Sequence, residues 1–204
     1  MKILVLNSGS SSQKACLYEI GDTLPAHPPA PLWEGRIEWG AEDANVLVKA
    51  RGCTQRSVII VNSREQVLRK VLTTIWSGDI AVLRSPAEID VAGHRVVHGG
   101  PHFEDPVTIT PEVRFAITGV SAFAPLHIRS ELEGMTVVEN LFGAIPQVAV
   151  FDTGFHRHMP LEAAVYPVHG SGLRQASGVM DFTASIISTA RAAQPSCSVN
   201  LWAR

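Results

Sequence analysis

Asn7 and Lys14 bracket the run Ser8-Gly9-Ser10-Ser11-Ser12. A short polar turn of this kind gathers hydroxyls and backbone N–H groups around a point that a lysine can reach, which is equipment for holding phosphate oxygens. No Gly-Lys-Ser/Thr follows and no helix opens after the run, so it is not a Walker loop. Arg95, between His94 and the segment His98-Gly99-Gly100, supplies a planar guanidinium able to clamp a carboxylate at two points. Asp152, in Asp152-Thr153-Gly154 with His156 beyond it, supplies a carboxylate. An amide and a lysine at a phosphate turn, a carboxylate clamp and a strand-end aspartate together describe phosphoryl transfer to a carboxylate. Each also has a plainer reading: a simple turn, an arginine paired with an acidic neighbour, an aspartate capping the next helix.

The elements that must position these groups follow from periodicity. Residues 3–6 are apolar, the turn follows, and residues 13–20 alternate, so the start reads as strand, tight turn, strand. Residues 25–31 form a Pro/Ala/His connector, and strands are expected over 32–39, 45–48 and 57–61. Residues 63–76 form the clearest helix, with Ser63 and Gln66 as a capping box, one apolar face from Val67 to Trp76, and Gly78 as its stop. A buried strand over 89–97 delivers Arg95. Thr110-Pro111-Glu112 opens a short helix, 131–141 forms another closed by Gly143, and a buried strand over 147–151 delivers Asp152. This order predicts an α/β protein, a mixed sheet with covering helices. Its crevice should lie beyond the carboxyl ends of the strands.

Composition narrows the partners. The chain of 204 residues is 46% hydrophobic and 18% charged, with a net charge of -2. It offers no basic field for nucleic acid and no cationic cluster for an anionic membrane surface. Cys16, Cys53 and Cys197 are odd in number and far apart, which argues against a disulfide framework. No apolar run is long enough for a signal peptide or a membrane span, so a cytoplasmic location is expected.

Five ordered stretches carry a resemblance: residues 1–14 (MKILVLNSGSSSQK), 92–100 (AGHRVVHGG), 124–127 (APLH), 148–156 (VAVFDTGFH) and 163–167 (AAVYP). Together they resemble the first half of the acetate kinase (acetate/butyrate kinase) family. The resemblance implies one half of a duplicated actin/hexokinase-type kinase fold, with the active site between two domains. It implies the reaction ATP + acetate ⇌ ADP + acetyl phosphate with Mg²⁺ as cofactor, and ATP and acetate as partners. By match of motif, Asn7 would stand at the metal–phosphate site, Lys14 near ATP, Arg95 on the acetate carboxylate and Asp152 at the reacting centre. A family-like homodimer is not expected without the second domain.

Two departures qualify the likeness. After APLH the family continues Asn-Pro, whereas Ile128-Arg129 follow here. Beyond Pro167 the family's Trp-containing segment and Arg-Arg-Tyr-Gly-Phe-His-Gly motif are missing from residues 168–204. Joining the third base of each codon to the first two of the next, from Ala176 to Ala190, permits Ile-Arg-Arg-Tyr-Gly-Phe-His-Gly-Ile-Asn-His-Gln-Tyr-Cys. His169/Gly170 and Gly170/Ser171 likewise permit Trp and Phe. The expectation is therefore a frameshift near Val168, a domain over residues 1–167, a poorly packed out-of-frame tail over 168–204, and a chain inactive by itself. Two alternatives stand beside it: a non-catalytic remnant of a kinase half, and a metallohydrolase built on His94, His98, His102, His127, His156 and His158.

Overall fold

The computed structural model describes residues 1–156 except 24, 26, 28, 101, 102 and 123, and all side chains within that set but those of Phe155 and His156. The expected boundary at 167, the tail, His102 and His158 lie outside the described residues.

The chain opens as a meander: β1 (Lys2–Ser8), β2 (Ser12–Glu19), β3 (Trp33–Trp39), β4 (Asp43–Ala50) and β5 (Cys53–Ile60), each antiparallel to the one before. After α1 (Arg64–Thr73) come β6 (Val91–Val96), β7 (Val107–Thr108), α2 (Pro111–Gly119), α3 (Pro125–Phe142) and β8 (Gln147–Phe151). The sheet runs β5-β4-β3-β2-β1-β6-β8-β7, with β6 parallel to both β1 and β8. The mixed, helix-covered α/β layer expected from the sequence is therefore present.

Alternation along the strands assigns the two faces. Leu4, Leu6 and Ala92 join one core with Val67, Leu68, Val71 and Leu72 of α1 and with Val137 and Val138 of α3. Ile3, Val91, Val148 and Val150 form a separate buried cluster on the other face. Fully burying one such side chain stabilises the fold by about 1.5–3 kcal/mol, so both faces contribute to holding the sheet. Trp33, wholly buried, donates from its indole N–H to Thr74 Oγ1 at 3.0 Å. Its ring leaves no room at Gly35, where a Cβ would stand 2.4 Å from a Trp33 carbon.

Several element boundaries differ from those expected. α1 starts after Ser63, but that side chain makes no capping bond, so the Ser63–Gln66 box does not form. The helix ends at Thr73 and tightens through Thr74, Ile75 and Trp76, whose N–H groups each bond three residues back. The apolar face nonetheless continues, with Ile75 fully buried. α3 begins at Pro125, inside the APLH stretch, rather than at 131. Its N-cap, Ala124, has no capping side chain, and the signal is Pro125 itself, whose fixed φ suits the first helical position. α2 opens at Thr110-Pro111-Glu112 as expected, and Thr110 caps it, its side chain accepting from the Val113 N–H. The short edge strand β7 and the Arg51-Gly52 turn, with φ of 53° and 75°, were not anticipated.

Candidate active site at the carboxyl ends of three parallel strands

β1, β6 and β8 run in the same direction side by side, and each places a polar group at or near its carboxyl end. Asn7 stands at the end of β1, Arg95 near the end of β6, and Asp152 directly after β8. Asn7 and Arg95 share the face of Ile3 and Val91, away from the helix-lined core.

Arg95 ties the three together. Its Nε lies 3.1 Å from both Asp152 carboxylate oxygens, and one terminal nitrogen donates to Asp152 Oδ2 at 2.6 Å. Its other terminal nitrogen donates to Asn7 Oδ1 at 3.1 Å. The plainer reading of Arg95, a pair with an acidic neighbour, is thus realised, and the neighbour is Asp152 itself. Asp152 is also the first residue of a short 3₁₀ turn, Asp152–His156. Lys14 faces Asn7 across the β1–β2 pair, exposed and without an ion pair among the described residues.

The serine-rich turn is fastened by its carbonyls. Ser12 O accepts from the Gly9 N–H, Ser11 O from the Trp39 N–H and Ser10 O from the Arg64 guanidinium, at 2.9, 3.0 and 2.9 Å. Arg64 also lies over the Trp39 ring, 4.9 Å from its centroid, and reaches Ser130 Oγ of α3. Beneath the turn, buried Ser8 Oγ accepts from Gln13 Nε2 at 2.8 Å. α3 approaches this pair through Gly134, where a Cβ would stand 2.7 Å from Ser8 Oγ. Bonds from Trp39 and Arg64 and the close approach of α3 hold the turn in one shape.

The loops leaving β6 and β8 also need glycine. A Cβ on Gly99 would stand 2.2 Å from Phe103 O, and one on Gly154 would stand 2.2 Å from Glu104 O. Gly99 donates to Thr153 Oγ1 at 3.1 Å, and Gly100 donates to His98 Nδ1 at 2.8 Å.

His94 does not join the Arg95 cluster. His94 points into the core, bonds Gln147 at 2.8 Å, and is pushed down to about 4 by burial, the Gln147 bond only partly opposing this. Burial also lowers His98. Among the described residues no three His, Cys, Asp or Glu side chains group to hold a metal, and the His156 side chain lies outside the description. Cys16 and Cys53 are unpaired thiols. Among the described residues no helix is long and apolar enough to cross a membrane.

Sequence reasoning missed two groups beside the site. Arg64 carried no motif, and nothing local announces its reach to Ser10. Glu131 did leave a trace, because it shares a helical face with Ile128, Met135 and Val138, all buried, where a carboxyl is out of place.

A meander joined to parallel strands, with a serine-rich turn at one strand end and an Arg–Asp pair at the next two, is the arrangement of half of an actin/hexokinase-like fold. The family model of the Acetokinase family matches residues 2–185, and the chain belongs to that family. Over 170 residues it is 53% identical to an acetate kinase of Cyanothece sp., covering 82% of this chain and 42% of that protein. It is similar to the crystal structure of Porphyromonas gingivalis acetate kinase, with a TM-score of 0.72 and 32% identity, over 83% of this chain and 42% of that one. A propionate kinase from Francisella tularensis matches with a TM-score of 0.68 and 33% identity, over 83% and 41%. The chain therefore spans about 42% of the length of the relatives it matches.

Proposed function

We propose that the chain carries the carboxylate-side half of an acetate kinase active site, for ATP + acetate ⇌ ADP + acetyl phosphate. The observation that carries this reading is the convergence of Asn7, Arg95 and Asp152 on the ends of three adjacent parallel strands. In this reading Arg95, held on two sides by Asp152 and Asn7, presents a fixed guanidinium plane to the acetate carboxylate. Asp152 stands at the reacting centre and Lys14 near ATP. Acetate is already ionised at neutral pH, so the residues need remove no proton. Their work is alignment and neutralisation of charge as a carboxylate oxygen attacks the γ-phosphorus and ADP leaves.

Mg²⁺ is a hard cation that takes few protein oxygens and completes its shell with water and phosphate. Asn7 would face it through its amide oxygen, which must first give up the Arg95 donor it accepts here. When bound, the ion would supply charge neutralisation at the transferring phosphate.

The same reading assigns the functional unit to residues 1–167, makes 168–204 an out-of-frame tail, and places the protein in the cytoplasm. In this reading residues 1–204 by themselves turn over at background, since several donors across the cleft lie in the part of the family's length they do not span, and losing one well-placed donor costs about 10²–10³ in rate. An acetyl phosphate assay on the chain, beside a version with the frame restored and the second half appended, tests this. Activity in the restored version only is expected. Equal turnover from both would overturn the two-domain reading, and sequencing the encoding DNA across codons 165–190 tests the frameshift directly.

A further inference from the structure

Among the described residues, two buried side-chain polar atoms find no hydrogen-bond partner: Nδ1 of His127 and Oε2 of Glu131. Both belong to α3, four positions apart and so on one face of it. Glu131 is 1% exposed. Its Oε1 accepts from the Val97 N–H at 3.1 Å, directly after the end of the strand that carries Arg95.

A carboxylate this deeply buried with one neutral donor would be left badly undersolvated, and a carboxylic acid would not. The charged groups that act on it are Arg95 of β6 and Asp152 beyond β8. From α1, Arg64 approaches the same helix at Ser130, the residue before Glu131. His127 lies one turn earlier, and His98 follows Val97. Ionising Glu131 would add a second negative charge within electrostatic reach of the Arg95–Asp152 pair, drawing on the guanidinium's charge and disfavouring the Asp152 carboxylate.

We propose that Glu131 is a positioning residue of this site: a buried carboxylic acid that fixes the exit of β6 through Val97 and, by staying uncharged, keeps a second negative charge away from the Arg95–Asp152 pair. Burial, only partly opposed by the Val97 bond and Arg95, raises its pKa to about 8, so the arrangement holds at neutral pH and fails in mild alkali. The inference rests on reading the Arg95–Asp152 pair as the site. Its readouts need no substrate, so its failure and that of the acetyl phosphate assay are separable.

The test is nuclear magnetic resonance on the full chain from about pH 5 to 9.5, following the Glu131 carboxyl carbon and the Arg95 Nε–H, the latter assigned by its loss in Arg95→Lys. Both signals should move together with a midpoint near pH 8. In Glu131→Gln, which keeps an acceptor for Val97 but cannot ionise, the Arg95 signal should stay flat over that range. An Arg95 signal that is flat in the parent chain, or that still titrates in Glu131→Gln, overturns the proposal, because a residue serving only to cap Val97 would not move it. Should Glu131→Gln fail to fold, the parent carboxyl alone decides: a Glu131 already ionised at about pH 6 ends the idea.

Discussion

Arg95 and Asp152, separated by 57 positions, meet at 2.6 Å as the most buried ion pair among the described residues, their side chains 12% and 4% exposed. Attraction between buried charges is offset by the cost of desolvating them, so the pair is not a large net stabiliser. Removing one partner is another matter, since the survivor stays buried without its counter-charge. Asp152→Ala and Arg95→Ala should each lower unfolding free energy by about 3 kcal/mol. The double variant should lose much less than the sum, and denaturant titration of the four proteins measures the coupling. Additive losses would mean that the two residues do not stabilise one another.

Arg95→Lys should separate substrates when the N-terminal domain is carried in a full-length chain of the family. A lysine keeps the charge but lacks the planar two-point fork, so the KM for acetate should rise at least about tenfold while ATP affinity changes little. Equal losses for both substrates would remove Arg95 from the carboxylate.

His94 should give the fold an acid limb. Its folded pKa, about 4, lies below the ordinary value of 6.5, so the unfolded chain takes up a proton first as pH falls. Stability from this group is complete above about 6.5 and is lost progressively down to about 4, by roughly 3 kcal/mol in all. Glu131 slopes the other way, since its raised pKa removes stability as pH climbs from 4.5 toward about 8. The two are separated by difference: parent minus His94→Gln should shrink on acidification, and Glu131→Gln minus parent should grow on alkalinisation. Parallel curves in either comparison would refute the assignment for that residue.

Gly134→Ala tests the contact between α3 and the phosphate turn. Inside an exposed helix this change gains about 1 kcal/mol. Here the new Cβ meets Ser8 Oγ at 2.7 Å and must displace a buried hydroxyl bonded to Gln13. Leaving that amide donor unsatisfied costs about 1–3 kcal/mol, so the loss should outweigh the gain. Thermal melting should show a lower midpoint, recovered in part when Ser8→Gly makes room. A stabilised single variant would show that the turn yields freely.

Much of the site was legible as pattern. The hairpin around Ser8-Gly9-Ser10-Ser11-Ser12, the strands that deliver Arg95 and Asp152, and the helix start at Thr110-Pro111-Glu112 are local events, set by alternation, turn residues and helix-start signals within a few positions. The ordered motifs were enough to indicate the family. What the sequence could not decide is which groups meet. That Arg95 meets Asp152 and Asn7 depends on β6 lying between β1 and β8, a sheet order no local period encodes. Arg64 fastens Ser10 across 54 positions, and Glu131 is buried only because α3 starts six residues before it, at Pro125, and crosses the end of β6. Secondary structure follows from the nearest neighbours along the chain. The ionisation and pairing of a side chain follow from its neighbours in space, which the folded sheet alone supplies.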